Sequence, residues 1–341
     1  MEAGHDGILA LPGELEPRRL RRRALQVVAL LAALVAVFLL APGLGEVRER
    51  LAGARPGWLA LGVAFEGLSC VSYVLMFRPI FCARMSWRSS FEIAFSELAV
   101  GSLVPASGAG GLALGAWVLR QGGMPADQIA RRSVAFFLIK SSVNFVAVAV
   151  LGTLMATGLV GPHRSLWLTA APGAAAALVI VAVPALRWIG PVEQPAQAGA
   201  RRALAAARRA VAGGTAEAIA LLRSGDLLVV VGAIGYWAWD NAVLWATFHA
   251  FGDVPPVSII LIGYLIGQLG GLLPIPGGIG GIDGGLVGAL IVYGEPAAPA
   301  AAAVLAYRVI LFWLPLLVGG LAFASLRRGL NQPHRPDLCP A

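Results

Sequence analysis

Six stretches of this chain, about 24–41, 57–77, 133–157, 166–186, 226–250 and 301–326, are apolar over the length of a bilayer crossing. A transmembrane helix needs ~18–20 apolar residues, and inside hydrocarbon every backbone polar group must be satisfied within the protein. Runs of this kind leave an all-α polytopic membrane protein as the predicted class. The charge content agrees: 13% of residues are charged and 58% are apolar, whereas a soluble domain carries about 25% charged residues. The first run follows Arg18, Arg19, Arg21, Arg22 and Arg23. Its length and the lack of a small-x-small site before Pro42 favour an uncleaved helix over a signal peptide.

The net charge of +8 invites a nucleic-acid reading, but the basic residues cluster at the ends of apolar segments and make no stripe interleaved with aromatics. No nucleic-acid partner is expected. Cys70, Cys82 and Cys339, with four scattered histidines, match neither a metal site nor a disulfide framework, so no metal and no cofactor are expected.

Basic flanks set an orientation. The N-terminal tail, 1–23, and the C-terminal tail, 329–341, are predicted to be cytoplasmic, with residues 24–328 forming one integral domain in the cell membrane. Arg48, Arg50 and Arg55 fall on the outer side of this scheme, against the rule. The alanine-rich segment 190–224, with Arg201, Arg202, Arg208, Arg209 and Arg223, reads as a surface helix.

Two segments, 89–122 and 251–300, enter and leave on the same side by charge parity. Their second arms, about 112–122 and 283–293, are ~16 Å of helix at 1.5 Å per residue against ~30 Å of hydrocarbon. Re-entrant hairpins are predicted. Both contain breaks: LVPASGAGG at 103–111 and LPIPGGIGGIDGG at 273–285. Shifting the sequence by 169 places Gly101, Leu103, Pro105, Gly108, Gly111, Gly115 and Val118 on Gly270, Leu272, Pro274, Gly277, Gly280, Gly284 and Val287. After a two-residue insertion, Gly123, Pro125 and Ala126 fall on Gly294, Pro296 and Ala297. The chain thus reads as a duplication, with halves at about 55–157 and 223–326. An odd number of crossings between the breaks makes it an inverted repeat, a transporter architecture with its site near the midplane.

Broken backbone in a bilayer is tolerated where it is buried in protein or lines a wet cavity. The freed N–H groups at the start of each second arm suit an anion such as phosphate. Pro105, Gly108, Gly111, Pro274, Pro276, Gly277, Gly278, Gly280 and Asp283 are therefore candidate binding residues; tight helix packing is the competing use of the glycines. Ionisable groups within spans are costly. Lys140 is expected seven residues into its helix and Arg308 seven into the last, so each half offers a cation at nearly the same place. Glu66, Glu92, Glu97, Asp240 and Asp283 are the acids. Glu97 and Asp240 are candidate charge partners, with Glu97 neutralising Lys140. Asp283 is also placed to cap the second arm.

LVPASGAGG, LPIPGGIGGIDGG and AAAVLAYRVILFWLPLLVGG (301–320) resemble the membrane domain of lysylphosphatidylglycerol synthases and the stand-alone flippase-like proteins related to it. The resemblance covers about 55–328. It implies a helical domain that binds or moves a phospholipid or related polar lipid. The synthases' aminoacyl-transfer domain is not expected after Arg328, and no nucleophile or general-base constellation is visible, so the chain is expected not to be an enzyme. The first half has no acid matching Asp283. An accessory subunit of a lipid- or glycan-modifying envelope enzyme is the alternative.

Overall fold

The computed structural model describes residues 45–103, 109–162, 165–185, 200–272, 280–330 and 338–339, with isolated positions between 21 and 32. Most of the expected span at 24–41 lies outside them. The regular elements are helical: α1 Gly45–Ala52, α2 Pro56–Cys82, α3 Trp87–Leu103, α4 Ala109–Gln121, α5 Ala126–Ala156, α6 Leu166–Ala185, α7 Ala200–Arg223, α8 Leu227–Phe251, α9 Val257–Gln268, α10 Gly281–Val292 and α11 Ala297–Leu330. Five of them, α2, α5, α6, α8 and α11, are long and apolar enough to cross a membrane. They fall on the five expected spans after the first.

The order long, short, short, long occurs twice, as α2–α5 and as α8–α11. The junctions repeat in atomic detail. Past α4, the N–H groups of Gly122, Gly123 and Met124 donate to the carbonyls of Val118, Arg120 and Leu119 at 3.0, 3.1 and 3.1 Å. Past α10, those of Tyr293, Gly294 and Glu295 donate to Ala289, Ile291 and Leu290 at 3.0, 2.9 and 3.0 Å. Both are left-handed caps of the Schellman type, with φ of +86° at Gly123 and +92° at Gly294. A proline, Pro125 or Pro296, then leads into the next long helix, since it lacks the N–H that a first helical turn leaves unused.

The halves interlock. Helices α2 and α8 form the main seam, where a Cβ on Gly232 would lie 2.6 Å from the Met76 nitrogen, so only glycine allows this approach. Helix α3 of the first hairpin packs on α11 of the other half, and α9 packs on α5. Helix α7 lies against α5 through an Arg132–Glu217 ion pair of 3.1 Å.

Three expectations change. Helix α5 starts at Ala126, about two turns before the expected 133, because Pro125 rather than the paired arginines begins it. Lys140 is therefore near the middle of its helix. Arg50 and Arg55, which run against the orientation rule, have structural work: Arg50 pairs with Glu46 and Asp253. Arg55 donates to the carbonyls of His249 and Ala250 at the end of α8, where a helix leaves carbonyls unpaired and favours positive charge. Finally, Cys82 and Cys339 form a disulfide with Cα atoms 5.9 Å apart. At a sequence separation of 257, spacing alone gave no sign of it. Leu338 beside it is buried in the core, close against Gly122, where an added Cβ would lie 2.5 Å from its Cδ1.

Gly294→Ala forces a side chain into the left-handed region, at a cost of about 1–2 kcal/mol, and should lower the thermal midpoint of the purified protein. Gly288→Ala, whose added Cβ meets nothing within 4 Å, should leave the midpoint unchanged or raise it.

Candidate functional site

Halfway along the long helices the seam turns polar. Asp240 in α8 is 6% exposed, and both its oxygens are used: Oδ1 accepts from the Tyr307 hydroxyl at 3.0 Å and Oδ2 from that of Tyr264. Glu97 in α3 is 2% exposed and accepts from the Tyr73 hydroxyl of α2 at 2.9 Å. Each half thus joins a long helix to its hairpin by a tyrosine–carboxylate bond spanning 24 residues. The roles are exchanged: the first half has its tyrosine on the long helix, the second its carboxylate. Burying an ionisable group is tolerable only with such hydrogen bonding.

Lys140 enters from α5. Its Nζ lies 6.0 Å from the centroid of the Tyr73 ring and 5.6 Å from that of Tyr236, near the outer limit of a cation–π contact. Glu97 and Asp240 are close enough to act on it electrostatically. Glu97, the expected charge partner of Lys140, acts on it electrostatically while its hydrogen bond goes to Tyr73; Oε1 has no hydrogen-bond partner among the described residues. The physical reason is packing. Oε1 presses on α4, where a Cβ on Gly115 would overlap it at 1.5 Å.

Arg308, the second expected cation, is one side of an ion pair: Nε is 3.0 Å from Asp283 Oδ1. The two atoms are poorly aligned, so the contact is ionic rather than a hydrogen bond. The other oxygen of Asp283 accepts the Gly280 N–H at 2.8 Å, as the sequence suggested for a capping carboxylate. The α10 N-terminus is thereby already served by a negative group. Gly280 is a turn residue at φ +86°. Gly111 is a packing residue, since a Cβ there would lie 2.3 Å from the Glu97 carbonyl oxygen. Pro105, Gly108, Pro274, Pro276, Gly277 and Gly278 lie outside the described residues.

The chain matches the lysylphosphatidylglycerol synthase TM region over residues 25–319. It belongs to that family. A relative named UPF0104 membrane protein, from Methanothermobacter thermautotrophicus, is 28% identical over 329 residues, covering 87% of this chain and 92% of its own. A second match of that name and organism is 32% identical over 94 residues, 27% of this chain and 28% of the relative. In this member of the lysylphosphatidylglycerol synthase TM region, four of the five tyrosines in the chain, Tyr73, Tyr236, Tyr264 and Tyr307, gather at the seam. Reading for charge alone overlooked Tyr73, Tyr236 and Tyr264. Asking which groups donate to carboxylates fixed inside apolar helices would have pointed to them.

Removing either partner of Asp283–Arg308, whose side chains are 14% and 15% exposed, should cost between the surface and buried limits, roughly 1–3 kcal/mol. The double variant Asp283→Ala/Arg308→Ala should be less unstable than the two single effects added, as a thermal double-mutant cycle would read directly.

Proposed function

We propose that this protein binds a polar membrane lipid at the seam of its two halves and moves its headgroup between leaflets, without catalysing a covalent reaction. The observation that carries the reading is the set of ionisable groups at the seam: Glu97 and Asp240, buried, with Lys140, Asp283 and Arg308 half-buried beside apolar helices. Intramembrane charge of this kind marks a polar pathway. The short helices support it. Helices α9 and α10 have 12 residues each, or ~18 Å, which as re-entrant arms would end near the midplane.

Lys140 is the cationic step of the first half and Arg308 that of the second. A headgroup phosphate would exchange with Asp283 for Arg308, so the ion pair acts as the resting closure of that step. For the hydrocarbon tails, an apolar recess of about 400 Å³ lies between α5, α6 and α7, walled by Phe137, Phe145, Val146, Ile180 and Leu222. The membrane is the plasma membrane, with both termini in the cytoplasm by the arginine distribution.

The test is leaflet exchange of a labelled phospholipid in liposomes carrying the purified chain. Lys140→Ala and Arg308→Ala should each slow it by about tenfold, the equivalent of 1.4 kcal/mol at the barrier. Full activity in the double variant would remove both cations from the mechanism, and absence of any exchange by the native chain would end the reading.

A further inference from the structure

A second polar feature, next to the lipid pathway, is a cavity of about 100 Å³ bounded by α2 and α3 of the first half and α8 and α11 of the second. Its polar wall consists of Glu66, Ser69, Ser102, Tyr236 and Asp240. Every one of these side chains presents oxygen.

The protons of that wall are largely turned away. The Ser69 hydroxyl donates to the Tyr236 carbonyl at 3.1 Å, and the Ser102 hydroxyl donates to the Leu98 carbonyl at 2.9 Å. Each serine therefore keeps only lone pairs for the cavity. Pro315 lies inside α11 and lacks an N–H, so the carbonyl four residues earlier, that of Leu311, loses its helical donor. Leu311 and Pro315 both line the cavity. Glu66 is 5% exposed, and the one donor reaching it among the described residues is the weak Cys70 thiol at 3.4 Å. No donor to its second oxygen is found among the described residues.

Carboxyls outnumber cations here. The carboxyls of the seam are Glu66, Glu97 and Asp240, buried, and Asp283, half-buried; the cations there are Lys140 and Arg308. Arg308 pairs with Asp283 and also acts electrostatically on Asp240, while Lys140 feels both Glu97 and Asp240. Glu66 and Asp240 also act on each other electrostatically. A space lined by oxygens, with two buried carboxyls and few donors, suits a hard cation, which takes the place of the proton that a carboxyl otherwise keeps in a low-dielectric interior.

We infer that this cavity is a binding site for a compact alkali cation, held by Glu66 and Asp240 with the serine and Leu311 oxygens completing its shell. The site lies where the repeat halves meet, at mid-depth of α2 and α8, the place where transporters of this architecture hold coupling ions. It does not require that lipid be the transported species.

The full chain in phosphatidylcholine nanodiscs, at constant ionic strength, is titrated with sodium or potassium chloride against N-methylglucamine chloride. The inference predicts a saturable rise of at least ~2 °C in the thermal midpoint with the alkali ion, as for any ligand that binds only the folded state. The bulky organic cation should give none. Glu66→Gln and Asp240→Asn should each abolish the rise, and Ser102→Ala should shift its midpoint to higher ion concentration. Equal responses to both cations, or a sodium response that survives Glu66→Gln, would overturn the site. Stabilisation by phosphatidylethanolamine in place of sodium would assign the cavity to a lipid amine and overturn the ion. The leaflet assay fails or succeeds separately, since it reads lipid movement and this one ion dependence.

Discussion

Asp240 can be buried in the middle of α8 because two tyrosines from other helices, Tyr264 of α9 and Tyr307 of α11, each give one of its oxygens a hydrogen bond. Much of the second half follows from that demand. A carboxyl buried among apolar helices needs hydrogen-bond donors from the protein, so the short helix α9 and the long helix α11 must both reach α8 at that depth. Glu97 imposes a similar demand on the first half through Tyr73. These bonds fix the hairpins against the long helices at a level where apolar packing alone has little directionality. Glycines then set how closely the backbones meet, as at Gly232 against Met76 in the seam.

The fold was legible because bilayer physics leaves few choices. Run lengths and flanking arginines mark α2, α5, α6, α8 and α11, and aligned Gly and Pro positions mark the repeat. The matching caps at Gly123–Pro125 and Gly294–Pro296 give that alignment a backbone counterpart. The site was legible only in part. Lys140, Arg308, Glu97, Asp240 and Asp283 stand out in sequence because charge in an apolar run is rare. Their partners did not, since a tyrosine in an apolar helix looks like any other large side chain. The Cys82–Cys339 link and the Arg55 contact with the end of α8 join positions far apart in sequence. Nothing local encodes such contacts.

Two different polar environments lie side by side at the seam. One holds the cations: Lys140 beneath the Tyr73 and Tyr236 rings, and Arg308 against Asp283. The other, between Glu66 and Asp240, is all oxygen. Asp240 belongs to both, and Tyr236 turns its ring to Lys140 while its residue also lines the cavity. A headgroup drawing on Arg308 would free Asp283 and change the field at Asp240, which gives ion and lipid a physical route to influence one another.

All of this requires that the seam be reachable from water although it is enclosed by apolar helices. The most direct measurement is the reactivity of Ser102→Cys, in a chain without other cysteines, toward a small cationic methanethiosulfonate that reacts only in aqueous surroundings. Leu321→Cys, on the outer surface of α11 at 75% exposure, serves as the lipid-facing reference. Modification at position 102 at least about tenfold faster than at 321 is expected, because the thiolate that reacts forms only where water reaches it. Equal inertness at the two positions would contradict a polar cavity at the repeat interface.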